Sequence, residues 1–296
     1  MSNFDGVLNP AAGWPDIPQA STSMVVLGGA GGPLNEQAKQ LTARTKKLKE
    51  DIENISPVGF GGQYRNLVVT VSGVGYQGTV TADCIVVEGD DFSSKLIRGV
   101  NLSFNGANSG QNGLDNGAMT AGNWYYIHVI HNPTTDTTAS LISLSATTPT
   151  LPDGYTRSCR VGAAYVAALA TAFVAQKQQG PVVTFVNSTN NKTALWAIIP
   201  GQPLSAPHLI NCSLMFPQTA VSTEIVMTTD SNSWSSLHSS SSTALTSRIM
   251  FVLGGYLAST TANISVVGNP DLFYHVVAGE LFTVSYLGSY GYTDSI

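Results

Sequence analysis

"NGLDNGAMTAGNWYYIHVI", residues Asn112–Ile130, decides how this chain is read. Its first six residues are rich in Gly, Asn and Asp, the composition of a cation or phosphate loop. Its second half, from Trp124, is aromatic and β-branched, the composition of a strand. A calcium loop needs several oxygen ligands at alternating positions, and Asp115 is the only carboxylate in the stretch. Gly and Asn are also the residues that turns use to reach positive φ. The first half therefore reads as a turn, and Trp124 to Ile130 as a core strand that the turn delivers into a sheet.

The same pattern extends in both directions. "NLVVTVSGVGYQGTVTADCIVVEGDD" reads as strand, Gly turn and further strands, and "KLIRGVNLSFNG", "ASLISLSA", "YTRSCRVGAAYVAAL" and "TAFVAQ" follow at hairpin spacing. After Gly180-Pro181 the pattern restarts with "VVTFVNS", "TALWAII", "LINCSLMF", "STEIVMTT", "RIMFVLGG", "NISVVG", "LFYHVVA" and "LFTVSYLG". Short strands at this spacing predict a mainly β chain with two antiparallel β-sandwich-like domains. Crossover helices for a parallel α/β fold are missing from the pattern.

Composition narrows the function classes. Only 10% of the 296 residues are charged, so the polar surface must come from Ser, Thr, Asn, Gln and Gly. That balance suits a particle-borne or extracellular β protein. The net charge of −5 supplies no basic field for nucleic acid. Cys84, Cys159 and Cys212 are odd in number and lack any CxxC spacing, so they read as reduced and buried, not as a disulfide or zinc framework. The start, "MSNFDGVLNPAAGWPDIPQA", has neither the basic nor the long apolar region of a secretory leader. The longest apolar run, Val161 to Ala175, is too short and Ala-rich to span a bilayer.

Residues 1–33 are rich in Pro and Gly and read as an extended segment that orders on a partner. Next, Leu34, Leu41, Leu48 and Ile55 recur every seven residues, with Ala38, Thr45 and Ile52 four places after the leucines. This is the stripe of a short coiled coil over residues 34–56. An amphipathic helix packed on a globular domain is the alternative. Core identity does not fix the number of strands in the coil.

Chemistry-bearing residues are few. "VEGDD", Glu88 to Asp91, is the densest acidic cluster and reads as a surface loop, with a weak cation site as the alternative. His128 and His131 lie three apart on a strand and so face opposite ways. "GGAGG" lacks the following Lys and Ser/Thr of a phosphate loop, and no GxSxG occurs. No catalytic residue, metal site or cofactor is expected. In "TTDSNSWSSLHSSSSTALTS" Trp234 and His238 stand in a Ser-rich loop, where the Trp is either a plug on the domain or an exposed stacking platform. Tyr290 and Tyr292 lie beside Gly near residue 296 with the same two readings.

The order of motifs resembles a module of bacteriophage tail fibres and related receptor-binding proteins. The residues that carry the resemblance are Gly113, Leu114, Asp115 and Gly117, then Trp124 and Tyr125, then Pro149, Leu151, Pro152, Gly154 and Tyr155, then Arg160 and Gly162. The Gly-rich stretch before a helix of Gln, Ala and Leu is similar to the virion-proximal part of such fibres. The resemblance implies a homotrimer, assembled in the host cytoplasm and carried on the phage tail. Residues 1–33 would dock on tail or baseplate proteins, and 34–56 would trimerise. The β domains, 57–180 and a distal 181–296, would touch a host-surface polysaccharide or protein. Trp234, His238, Tyr290 and Tyr292 are the expected receptor contacts. An adaptor or decoration protein without receptor contact, or a polysaccharide-degrading tailspike, are the alternatives.

Overall fold

Inward and outward residues alternate where the sequence alternates. In Gln77–Gly89, Thr79, Thr81 and Asp83 are exposed while Val80 and Ala82 are buried, the period of a strand with one wet face. In Asn123–Asn132 every residue from Tyr125 onward is buried, as expected of a strand covered on both faces. The computed structural model describes residues 39–48, 61–167, 171–187, 191–199, 208–210, 212–229, 234–238, 248–253, 258–266, 272–277 and 285–296. The chain divides into two compact units, Met1–Pro57 and Val58–Ile296.

In the first unit, residues 39–48 form an α-helix, the one α-helix among the described residues. Leu41 and Leu48 are 60% and 48% exposed on it. Thr45 is exposed too, its hydroxyl donating back to the Leu41 carbonyl at 2.9 Å. Leu34, Ala38, Ile52 and Ile55 lie outside the described residues, as does the extended segment 1–33.

The second unit is built of antiparallel strands. The first nine are β1 (Tyr64–Arg65), β2 (Val68–Val71), β3 (Gln77–Gly89), β4 (Ser94–Asn105), β5 (Asn123–Asn132), β6 (Thr137–Ser143), β7 (Arg157–Val166), β8 (Gln176–Gln179) and β9 (Val182–Phe185). Then come β10 (Leu195–Ile199), β11 (His208–Ile210), β12 (Ala220–Thr229), β13 (Trp234–His238), β14 (Arg248–Leu253), β15 (Ala258–Ser265), β16 (Leu272–Val277) and β17 (Ser285–Asp294). Within the expected strand "LINCSLMF", Cys212–Leu214 turns as a 3-10 helix instead.

Thirteen strands join in one sheet along the order β15-β12-β17-β9-β8-β2-β3-β7-β5-β6, with β10 on β17 and β1 and β4 on β3. The remaining four form a sheet in the order β11-β16-β13-β14. The expected division at 180/181 falls on the two-residue turn between β8 and β9, which pair from Gln176↔Phe185 to Gln179↔Val182. Gly180 has φ 54 there, the positive value such tight hairpins need. The hydrogen-bonded sheet continues straight through that position, because β9 also pairs with β17.

Two large core clusters lie along this sheet, beside a small one around Ile130 and Leu141. One gathers β2, β3, β5 and β7 around Tyr125, Ile85 and Ile127; the other gathers β9, β12 and β17 around Phe185, Phe216 and Ile225. Each fully buried aliphatic or aromatic side chain of this size contributes about 1.5–3 kcal/mol by leaving water. Trp124 packs against the second cluster: its indole N–H donates to the Ser213 carbonyl at 2.7 Å, and its ring lies 5.1 Å from Tyr165 and 5.5 Å from Tyr292. Gly291 is required where β17 passes β9, because a Cβ there would strike the Val183 carbonyl. Cys159 and Cys212 are buried as expected of reduced thiols, whereas Cys84 is only half-buried.

Candidate functional site

The wet face of β2, β3 and β4 carries a set of neutral polar side chains, with Val68 opposite Thr81 as its apolar edge. Register places Thr70 opposite Thr79 and Thr79 opposite Ser103, one row across three strands. Gln77 faces Asn105 on one side of that row, and Thr81 faces Asn101 on the other. Rows on one face lie about 7 Å apart along the strands and about 4.8 Å apart between them, so the floor is a small flat grid. The apolar partners Val80 and Phe104 point the other way, into the core. This alternation fixes which face is wet.

A wall rises from the turn that opens the decisive stretch. Asn112, at φ 61, lies between β4 and β6: its carbonyl accepts from Asn105 N–H at 2.9 Å, and its N–H donates to the Ser140 carbonyl at 2.7 Å. Its Oδ1 accepts from Ser140 N–H at 3.1 Å. The Ser140 hydroxyl lies 3.0 Å from the Ser103 carbonyl and 3.1 Å from the same Oδ1. Positive φ is tolerable for Asn because its side chain bonds locally. Asn108 and Thr138 complete the wall, and the groove so formed encloses about 720 Å³, well within the range of ligand clefts.

No Asp, Glu, Lys, Arg or His lines the groove. Charge begins two positions beyond Thr81, where Asp83 bonds Asn66 at 2.7 Å and Arg65 at 2.9 Å, and these bonds hold its carboxyl below the usual range. The hydroxyls of the lining thus have no general base beside them. The arrangement suits binding.

Asp115 behaves as a turn residue. Its carboxylate accepts from the N–H groups of Asn116 at 2.7 Å and Thr150 at 2.9 Å, tying the turn to the 144–156 loop. Tyr155 donates to Gln111 Oε1 at 2.8 Å. In "VEGDD", Asp91 accepts from Ser93 N–H and Oγ–H at 3.0 and 2.6 Å, and Glu88 accepts from Gly61 N–H at 2.6 Å. Among the described residues no three His, Cys, Asp or Glu groups gather around one point. His128 and His131 are both buried and turn to separate partners. His128 Nε2 lies 3.0 Å from the Ser145 carbonyl, and burial pushes its pKa down to about 4. His131 lies 3.5 Å from Asp136, and burial lowers its pKa as well.

The expected contact residues fall on strands of two different sheets. Trp234 and His238 are not in a loop; they are the ends of β13, a strand paired with β14 on one side and β16 on the other. Tyr290 is half-buried, and the Lys192 ammonium, bonded to Glu224 at 2.6 Å, stands 4.8 Å over its ring. Tyr292 is 2% exposed and donates to the Ala163 carbonyl at 3.1 Å. It belongs to the core, packed on Trp124 and Phe185, so its expected role in receptor contact is corrected. The groove was not foreseen. Its one legible signal was the run of outward Thr, Ser, Asn and Gln at alternate positions of three adjoining strands.

Comparison with known proteins returned no match among family models, curated proteins or solved structures. Among the described residues no helix is long and apolar enough to cross a membrane.

Proposed function

We propose that this chain is a structural bacteriophage tail fibre protein. It acts as a homotrimer, docked on the tail through residues 1–33, with the β region held out toward the host surface. The observation that carries this reading is the exposed leucine stripe. Leu41 and Leu48 recur at heptad spacing on a helix and are 60% and 48% exposed, and a helix of this length is marginal in water without a partner for that stripe. Three helices packed through it would bury the leucines and set three β units side by side. Two of the residues that carry the resemblance each bond a neighbour of the other stretch, Asp115 with Thr150 and Tyr155 with Gln111, so the turn and the 144–156 loop act as one piece in this reading. Host contact is a binding function in this reading, with weak contacts multiplied over three copies. Residues 181–296 remain the distal part in this proposal, with Trp234 and His238 as its contact candidates.

The test is competition. Purified full-length chain, added to host cells before the phage that encodes it, should reduce adsorption in proportion to occupancy. A chain that neither binds the cells nor lowers adsorption would remove host contact and leave the adaptor or decoration role.

A further inference from the structure

We propose that the groove over β2, β3 and β4 is a binding site for a neutral oligosaccharide. This deepens the host-contact reading by naming the ligand class and a surface outside residues 181–296.

The chemistry of the lining selects the ligand. Side chains of Thr70, Gln77, Thr79, Asn101, Ser103 and Asn108 line the groove, and among the described residues none of the six makes a side-chain hydrogen bond within the protein. A set of uncommitted hydroxyls and carboxamides offers donors and acceptors side by side. A ligand dense in hydroxyls matches both. An apolar ligand would cover these groups and leave them unpaired, at about 1–3 kcal/mol each. An anionic or cationic ligand would be desolvated with no opposite charge within the lining. A sugar chain without carboxylate, sulfate or phosphate fits where the other classes do not.

Rigidity favours the same assignment. The floor is three paired strands, and the wall is fixed by the bonds of Asn112 to Asn105 and Ser140. The backbone that carries the polar groups is therefore fixed before any ligand arrives, and the ordering cost on binding is confined to side-chain rotamers. Among the described residues that line the groove no aromatic ring is exposed, so affinity per site is weak and depends on several copies acting together.

The experiment uses the full chain on an array of immobilised oligosaccharides. One set is neutral, made of hexoses, deoxyhexoses and N-acetylhexosamines; the other is acidic, made of uronate, sialylated, sulfated and phosphorylated chains. The wild-type chain is expected to be retained on neutral members. The variant Thr79→Leu with Ser103→Leu keeps strand-compatible residues but removes two hydroxyls from the central row, and should lose about tenfold or more of the signal at an unchanged melting temperature. Should that variant melt lower, Asn108→Ala, in the wall loop, serves in its place, with a drop in retention expected. No retention on any neutral member, equal retention by wild type and both variants, or preference for the acidic set would overturn the proposal. Failure of the host-contact reading looks different: neutral glycans are still retained through the groove, yet the purified chain does not compete with phage adsorption.

Discussion

Replacing Arg160 tests whether residues 58–296 hold together as one cooperative body. Arg160 stands on β7, and its guanidinium bonds the Asp294 carboxylate at 2.6 Å and the Ser295 carbonyl at 2.7 Å, beyond the end of β17. The Arg160 side chain is 12% exposed and the Asp294 side chain 0%. The pair is thus out of water, and the Arg also lies 5.8 Å from the Tyr126 ring centroid. Arg160→Met keeps much of the packing stem but leaves Asp294 buried without its partner. Removing one member of a buried pair costs about 3–5 kcal/mol. For a unit of this size 1 kcal/mol corresponds to roughly 2–4 °C in Tm, so a fall on the order of 10 °C is expected. Arg160→Met with Asp294→Leu should recover most of it, because no charge is then stranded. Calorimetry of the wild type should show one transition for this unit, shifted as a whole in Arg160→Met. A loss under about 1 kcal/mol would mean that the pair is solvated, and two transitions with only one shifted would refute the single-unit account.

Three further outcomes follow from the same geometry. His128 is held neutral by burial, with a folded pKa of about 4 against 6.5 unfolded. The unfolded chain therefore binds the extra proton between those values, so stability falls as pH drops through the window, by about 3 kcal/mol from this group; denaturant titrations from pH 7 to 4 should show the fall, and His128→Gln should flatten it. Asp115→Asn keeps an acceptor for only one of the two backbone N–H groups that bond Asp115, so its melting temperature should fall by roughly 2–4 °C while chelator changes neither protein; a large chelator effect would contradict the turn reading. Gly291→Ala drives a Cβ against the Val183 carbonyl and should cost roughly 3 kcal/mol by parting β17 from β9, read by denaturant midpoint.

Local pattern made the strands legible. Thr79, Val80, Thr81 and Ala82 alternate in sequence and alternate in burial, because side-chain direction on a strand is set by the backbone alone. What sequence could not show was which distant strands meet. Gly180-Pro181 is chemically suited to a linker and to a tight hairpin, and the pairing of β8 with β9 across it makes it the hairpin. Tyr292 looked like a free aromatic beside Gly, yet Gly291 lets β17 approach β9 closely, and Tyr292 is buried there. Trp234 and His238 lie in Ser-rich surroundings that suit a loop, and pairing on both sides made them a strand, tertiary contact overriding propensity. The groove escaped notice because its residues are individually bland, and only strand register gathers Thr70, Thr79 and Ser103 into one row.

The central claim, a trimer held by the helix stripe, is tested most directly by the mass of the full chain in solution. The single chain is 31.0 kDa, so a trimer weighs three times that, about 93 kDa. Leu41→Asp with Leu48→Asp would place charges in the packed stripe, at several kcal/mol each. The account predicts about 93 kDa for the wild type by sedimentation or native mass measurement, and 31.0 kDa for the double variant. A wild-type chain at 31.0 kDa, or a double variant that stays trimeric, would contradict it.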